Sequence, residues 1–205
     1  MTSRTAVAGA PPLRTENVLG AASLPAVAGL IAAGVAWDRS WTAVVAIVLL
    51  ADAVVAAVLV STGRVVDQRA GIAFTILQVD LFALLLQLIG HVVAGRGLAI
   101  GLGLVALLLI AAAAGHLGRR AIMAELVAPR SWPGRVLSLA PVLAFGGAMT
   151  GYAVGRHVAA LPAAATVILA AIAFYLVLVA HASWLRVEMP DWQRHLRERR
   201  GSRRV

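Results

Sequence analysis

The stretch GIAFTILQVDLFALLLQLIGHVV, residues 71–93, decides the fold, because it contains one charged side chain, Asp80, in an otherwise largely apolar run. A helix of about 20 apolar residues crosses the hydrocarbon core of a bilayer. Backbone N–H and C=O groups find no partners in lipid, so a segment that crosses alone must close its hydrogen bonds as a helix. The stretch therefore predicts a transmembrane helix that carries an acid near its middle.

Further apolar runs of spanning length lie on both sides of this one. The chain of 205 residues is 61% hydrophobic and 13% charged, whereas soluble domains are about 45–50% apolar and about 25% charged. We predict an all-α, polytopic integral membrane bundle of six transmembrane helices, in a membrane domain over 17–185 between tails at 1–16 and 186–205. The predicted helices are 17–37, 41–61, 71–93, 97–117, 136–156 and 161–184.

The basic residues give the orientation. All 18 are arginine, and only Arg39, Arg96 and Arg156 fall on the side opposite the two termini. Arginine is enriched on the cytoplasmic side of membrane proteins, so both termini are predicted to be cytoplasmic. The net charge of +9 therefore indicates topology, and no nucleic-acid partner is predicted. Arginine without lysine, beside abundant Ala, Val and Gly, suggests a GC-rich bacterial genome and hence the bacterial plasma membrane.

The first apolar run has an alternative interpretation as a secretory signal. Arg14 precedes it, and small residues lie near Ala36. The apolar part of a signal usually has about 7–15 residues, and this run is longer, so we predict a retained helix. Cleavage would leave five helices.

The residues that the sequence lacks exclude several chemistries. There is no Cys and no Lys, which rules out disulfides, thiolate metal sites and Schiff-base chemistry. No catalytic motif is present, so no catalytic residue and no cofactor is predicted. His91 and His157 could hold a metal or a haem, but both lie near helix ends, and we predict no metal site.

A polar stripe runs along the central stretch. Asp80, Gln87 and His91 fall within about 40° of one another on a helix, whereas Gln78 points to the opposite side. Polar and ionisable side chains are costly in a membrane, and they usually face the bundle interior or a wet cavity. The stripe therefore predicts a functional path from the middle of the membrane toward its outer surface.

A second acid, Asp52, lies at the same predicted depth as Asp80. Each is about nine residues from the inner end of its helix, on the order of 13 Å from the inner surface. If the two carboxyls faced each other, like-charge repulsion would favour a pair that holds one proton. Asp52, Asp80, Gln87 and His91 are thus candidates for proton or cation coupling. The alternative is that each acid is protonated and hydrogen-bonded to a neighbouring helix as structural glue.

Two further features predict contacts. Gly147, Gly151 and Gly155 form a small-residue groove that lets another helix approach closely, within the chain or in a homo-oligomer or partner membrane subunit. The C-terminal tail fits a helix that lies on anionic lipids of the inner leaflet. The arginines expected to bind the headgroups are Arg194, Arg197, Arg199 and Arg200.

Three classes of function are compatible with these features. The first is a proton- or cation-coupled transporter of a small solute that uses Asp52 and Asp80, and it is our working hypothesis. The second is a small membrane enzyme that acts on a lipid or isoprenoid substrate with an Asp as acid or base. The third is a non-catalytic subunit of a larger membrane complex.

Overall fold

The computed structural model describes residues 15–36, 39–62, 68–95, 97–127, 131–132, 134–135, 161–189 and 191–192. Within these ranges the chain is helical and contains no strand. The described part of the chain contains five long helices and two short ones with defined bounds: α1 (Thr15–Ala36), α2 (Arg39–Ser61), α3 (Gln68–Val93), α4 (Leu98–Leu117), α5 (Arg119–Val127), α6 (Leu161–Ala182) and α7 (Leu185–Glu188).

The short helices α5 and α7 were not anticipated from the sequence, since they are partly polar and extend the ends of α4 and α6. The predicted helix at 136–156 lies outside the described residues, as do the predicted N-terminal tail up to residue 14 and most of the C-terminal tail.

Among the described residues, four segments are long and apolar enough to cross a membrane. Their mean hydropathies are between 2.1 and 2.9. The first helix contains a shorter apolar segment, Ala22–Ala33. Many large apolar side chains on these helices are exposed, among them Leu98 at 78% and Ile47 at 67%. Such a surface is typical of contact with lipid. The four segments are Thr42–Ser61, Arg69–Val93, Leu98–Leu117 and Ala165–Glu188.

Helix α3 lies at the centre of the described bundle. It packs most extensively against α6 and α1, and also against α4, while α2 packs mainly on α1. The side chains of α1, α2 and α3 meet in one apolar core cluster, in which Ala28, Val45 and Leu85 are buried. The short connection between α2 and α3 therefore does not make them each other's main neighbours, because α1 lies against both.

Small residues allow the helices around α3 to approach closely. A Cβ on Gly115 of α4 would lie 2.9 Å from His181 Cβ and would overlap the Leu178 carbonyl oxygen of α6. At the other end of α6, the Thr166 hydroxyl donates to the Gly90 carbonyl of α3 at 3.0 Å. Such contacts hold apolar helices together where lipid gives no hydrophobic drive for association.

Polar contacts close the end of the bundle at which α4 and α6 finish. The Arg119 guanidinium makes two contacts of 2.8 Å to the Glu188 carboxylate. The Arg69 guanidinium carbon lies 5.8 Å from the centre of a Trp184 ring, within the range of a cation–π interaction. The first contact joins α5 to α7, and the second places the turn before α7 against the start of α3.

Candidate functional site

The polar side chains of α3 lie on two opposite faces of the helix. Gln78 and Asp80 are two residues apart, and a helix turns about 100° per residue, so their side chains point about 200° apart. Each meets a polar side chain of a different helix. The structure thus contains two polar pairs at similar height, one on each side of α3.

The first pair joins α3 to α2. The Gln78 side-chain amide donates to the Asp52 carboxyl oxygen Oδ1. Gln78 is completely buried, and Asp52 is 8% exposed. A buried acid beside an amide has its hydrogen bond satisfied, but an amide neither gains nor releases a proton near neutral pH. This arrangement is that of structural glue between helices.

The second pair joins α3 to α6. His181 Nε2 lies 3.1 Å from Asp80 Oδ2. The side chains are 23% exposed for His181 and 38% exposed for Asp80. Either the imidazole N–H donates to a carboxylate, or a protonated carboxyl donates to the imidazole nitrogen. The two atoms are within hydrogen-bonding distance, so a proton shared by the pair can lie on either group.

Asp52 and Asp80 are therefore not brought together in the structure. Their carboxyls have different partners, Gln78 and His181, on opposite faces of α3. The sequence predicted equal depth in the bilayer for the two acids but not the direction of each side chain. The packing of α3 between its neighbours determines that direction. The arrangement of two facing carboxyls considered from the sequence is replaced by one acid–amide pair and one acid–imidazole pair.

The remaining residues of the stripe, Gln87 and His91, line a cavity of about 450 Å³ between α2, α3 and α4. Gln87 is 3% exposed, and the His91 ring lies over Gly101 of α4, whose added Cβ would be 3.1 Å from His91 Cε1. The other lining residues are apolar apart from glycine: Val44, Val45, Val48, Leu84, Leu85, Leu88, Leu98, Leu102, Leu104 and Val105.

His181 and Gln78 were not among the site residues predicted from the sequence. The predicted helix ended at 184, close to His181, whereas the apolar segment in the structure continues to Glu188, seven residues beyond His181. Gln78 lies almost level with Asp52, and a comparison of depths that was not limited to the acids would have included Gln78 among the candidate partners.

Several predicted contact residues cannot be placed. Gly147, Gly151, Gly155 and His157 lie outside the described residues, and so do the four tail arginines at 194, 197, 199 and 200. In the part of the chain that is described, no group of three or more His, Asp or Glu side chains is arranged to hold a metal ion.

Comparison of the chain with protein-family models, with curated proteins and with solved structures finds no match. The geometry of α3 and its partners is therefore the basis for inferring a function.

Proposed function

We propose that this chain is a proton-coupled transporter of a small solute, in which Asp80 and His181 hold the coupled proton. The observation that supports the proposal is the 3.1 Å contact between these two titratable side chains. Asp80 lies near the middle of the apolar segment Arg69–Val93. Ionisable groups at such positions are expensive, and they commonly mark ion pathways and proton relays.

The chemistry of the partner favours proton exchange over a purely structural role. An acid held only for packing is best buried with a non-titratable partner, which describes Asp52 and Gln78. Asp80 instead has an imidazole partner, and histidine changes charge near neutral pH. This asymmetry revises the sequence-based proposal, because the proton site uses Asp80 with His181 and leaves Asp52 as a structural residue.

The geometry supports a transporter better than a membrane enzyme. In an enzyme that acts on a lipid or isoprenoid, the acid should border the substrate cavity, because proton transfer needs hydrogen-bonding distance. Among the described residues that line the cavity there is no acid. The role of a non-catalytic subunit predicts instead that the protein is purified with a partner and moves no protons by itself.

The proposal includes the finer topology. Six spans with both termini in the cytoplasm of a bacterial cell would place Arg69, Arg119 and the arginine-rich tail on the inner leaflet, where anionic lipids favour them. A homo-oligomer or a partner subunit could use the groove predicted at Gly147, Gly151 and Gly155. Cysteine-scanning accessibility on intact cells and inverted vesicles would test the orientation.

Proton flux in proteoliposomes tests the function. Liposomes that contain the protein and a pH-sensitive dye receive an imposed potential and a deproteinised extract of bacterial metabolites as the solute mixture. We expect proton entry above that of empty liposomes, and a fall to background in Asp80→Asn. Asp52→Asn is the matched control and should retain more than half of the flux. An Asp80→Asn protein that keeps the full rate would refute the proton site.

A further inference from the structure

The cavity between α2, α3 and α4 has the composition of a ligand site. Its volume is about 450 Å³, within the range of about 300–1,000 Å³ found for sites that bind small molecules. Its described walls are apolar except for Gln87 and His91. Ligand sites commonly combine such walls with a few polar groups that fix the orientation of the ligand.

Gln87 is the observation that points to a ligand. It is 3% exposed, and neither its amide nitrogen nor its amide oxygen has a hydrogen-bond partner among the described residues. A buried polar group without a partner is costly, and proteins rarely leave one. The amide lies on the cavity wall, so a molecule inside the cavity can supply the missing bond.

We propose that this cavity binds an uncharged, mainly apolar molecule with one hydrogen-bonding oxygen, which accepts a hydrogen bond from the Gln87 amide. No charged side chain lines the described walls, and the burial of an uncompensated charge there would be strongly unfavourable. A cavity of about 150 Å³ holds benzene, so this one has room for about three rings or a chain of similar bulk.

The ligand reaches the cavity from the membrane. The side chains at its rim are apolar and exposed: Val44 at 49%, Leu98 at 78% and Leu102 at 62%. A molecule dissolved among acyl chains meets this rim directly. The claim that this ligand is the transported solute rests on the proposed function, whereas binding of the ligand requires no proton movement. The ligand site and the proton site can therefore fail separately.

Photolabelling by benzophenone tests the site, because benzophenone is uncharged and apolar and has a single carbonyl. The full-length protein in lipid nanodiscs is irradiated with it and cut with trypsin, which cleaves after Arg96 and Arg119 and releases the α4 wall as peptide 97–119. Labelling at this wall should saturate. 1-Decanol should compete at lower concentrations than decane, which has no oxygen, and than decanoate, which is charged.

Two glycines of α4 provide a matched pair of variants. Gly101→Leu fills the cavity beside His91 and should abolish saturable labelling. At Gly103 an added Cβ meets nothing within 4 Å, so Gly103→Leu should leave saturable labelling unchanged. Gln87→Leu preserves the apolar volume but removes the amide, and it should reduce the preference for decanol over decane by about tenfold or less, the range of one hydrogen bond.

Circular dichroism of each variant shows that it is folded. Labelling that does not saturate overturns the proposal, as does equal labelling of the Gly101→Leu and Gly103→Leu proteins. A Gln87→Leu protein with the full preference for decanol overturns the role of the amide. If the unaltered protein shows no saturable labelling but has normal Asp80-dependent proton flux, only the ligand site is refuted. Saturable labelling without Asp80-dependent proton flux refutes only the proton site.

Discussion

An aspartate takes part in a polar contact on each of two opposite faces of α3, and the two aspartates have different surroundings. On the α2 face, Asp52 is buried and receives a hydrogen bond from an amide. On the α6 face, Asp80 is partly exposed and contacts an imidazole. The partner, more than the acid itself, determines whether an intramembrane carboxyl can exchange protons. Under the proposed function, the first face stabilises the bundle and the second exchanges protons.

The largest effect is expected from His181→Gln, which gives Asp80 the same type of partner that Asp52 already has. The amide keeps a hydrogen bond but cannot carry a proton, so proton flux in liposomes should fall by about a hundredfold, the lower part of the range for a positioned acid–base group. His116→Gln is the matched control, since His116 is an exposed histidine in the last turn of α4. A His181→Gln protein with flux equal to that of the control would remove the distinction between the two faces.

The second largest effect is expected from loss of the hydrogen bond between Gln78 and Asp52 on the α2 face of α3. Gln78→Leu leaves the buried Asp52 carboxyl without its donor, which should lower the free energy of unfolding by about 2 kcal/mol. Replacement of both residues by leucine should recover most of the loss, because two apolar groups need no hydrogen bond. Unfolding in mixed micelles with increasing dodecyl sulfate, followed by circular dichroism, measures both values. If the double variant is as unstable as the single one, the hydrogen bond is not what stabilises this face.

The smallest effect is expected from Gly115→Ala, which tests whether the packing of α4 against α6 positions His181 beside Asp80. In Gly115→Ala the new Cβ meets the Leu178 carbonyl and His181 Cβ, so α4 must move away from α6. We expect a loss of about 1 kcal/mol, at the low end for overpacking, together with a reduced proton flux, because the shift displaces His181 from Asp80. Gly103→Ala, which has open space around it, should change neither quantity. Normal flux in Gly115→Ala would show that His181 does not depend on this contact for its position.

Hydropathy predicted the helical class because an apolar run in lipid has almost no other way to satisfy its backbone. The ends of α3, at Gln68 and Val93, lie within three residues of the predicted 71–93. The stripe on α3 was also readable, since Gln87 and His91 need only the pitch of one helix to share a face, and both line the same cavity. These features depend on local periodicity alone.

The partners of the stripe could not be predicted in the same way. Which helix faces Asp80 depends on how whole helices pack, and contacts such as Gly115 against Leu178 decide that from residues far apart in the sequence. The apolar segment that contains His181 also includes α7, a four-residue helix too short to be recognised from periodicity. The direction of a side chain around its helix is a tertiary property, whereas its depth is a local one.

The contact between Asp80 and His181 joins positions 101 residues apart, and this separation has a consequence for synthesis. A ribosome releases Asp80 into the membrane long before α6 exists, so the acid has to wait in the insertion machinery or in lipid without its imidazole. A polypeptide that stops before residue 161 retains that exposed acid permanently.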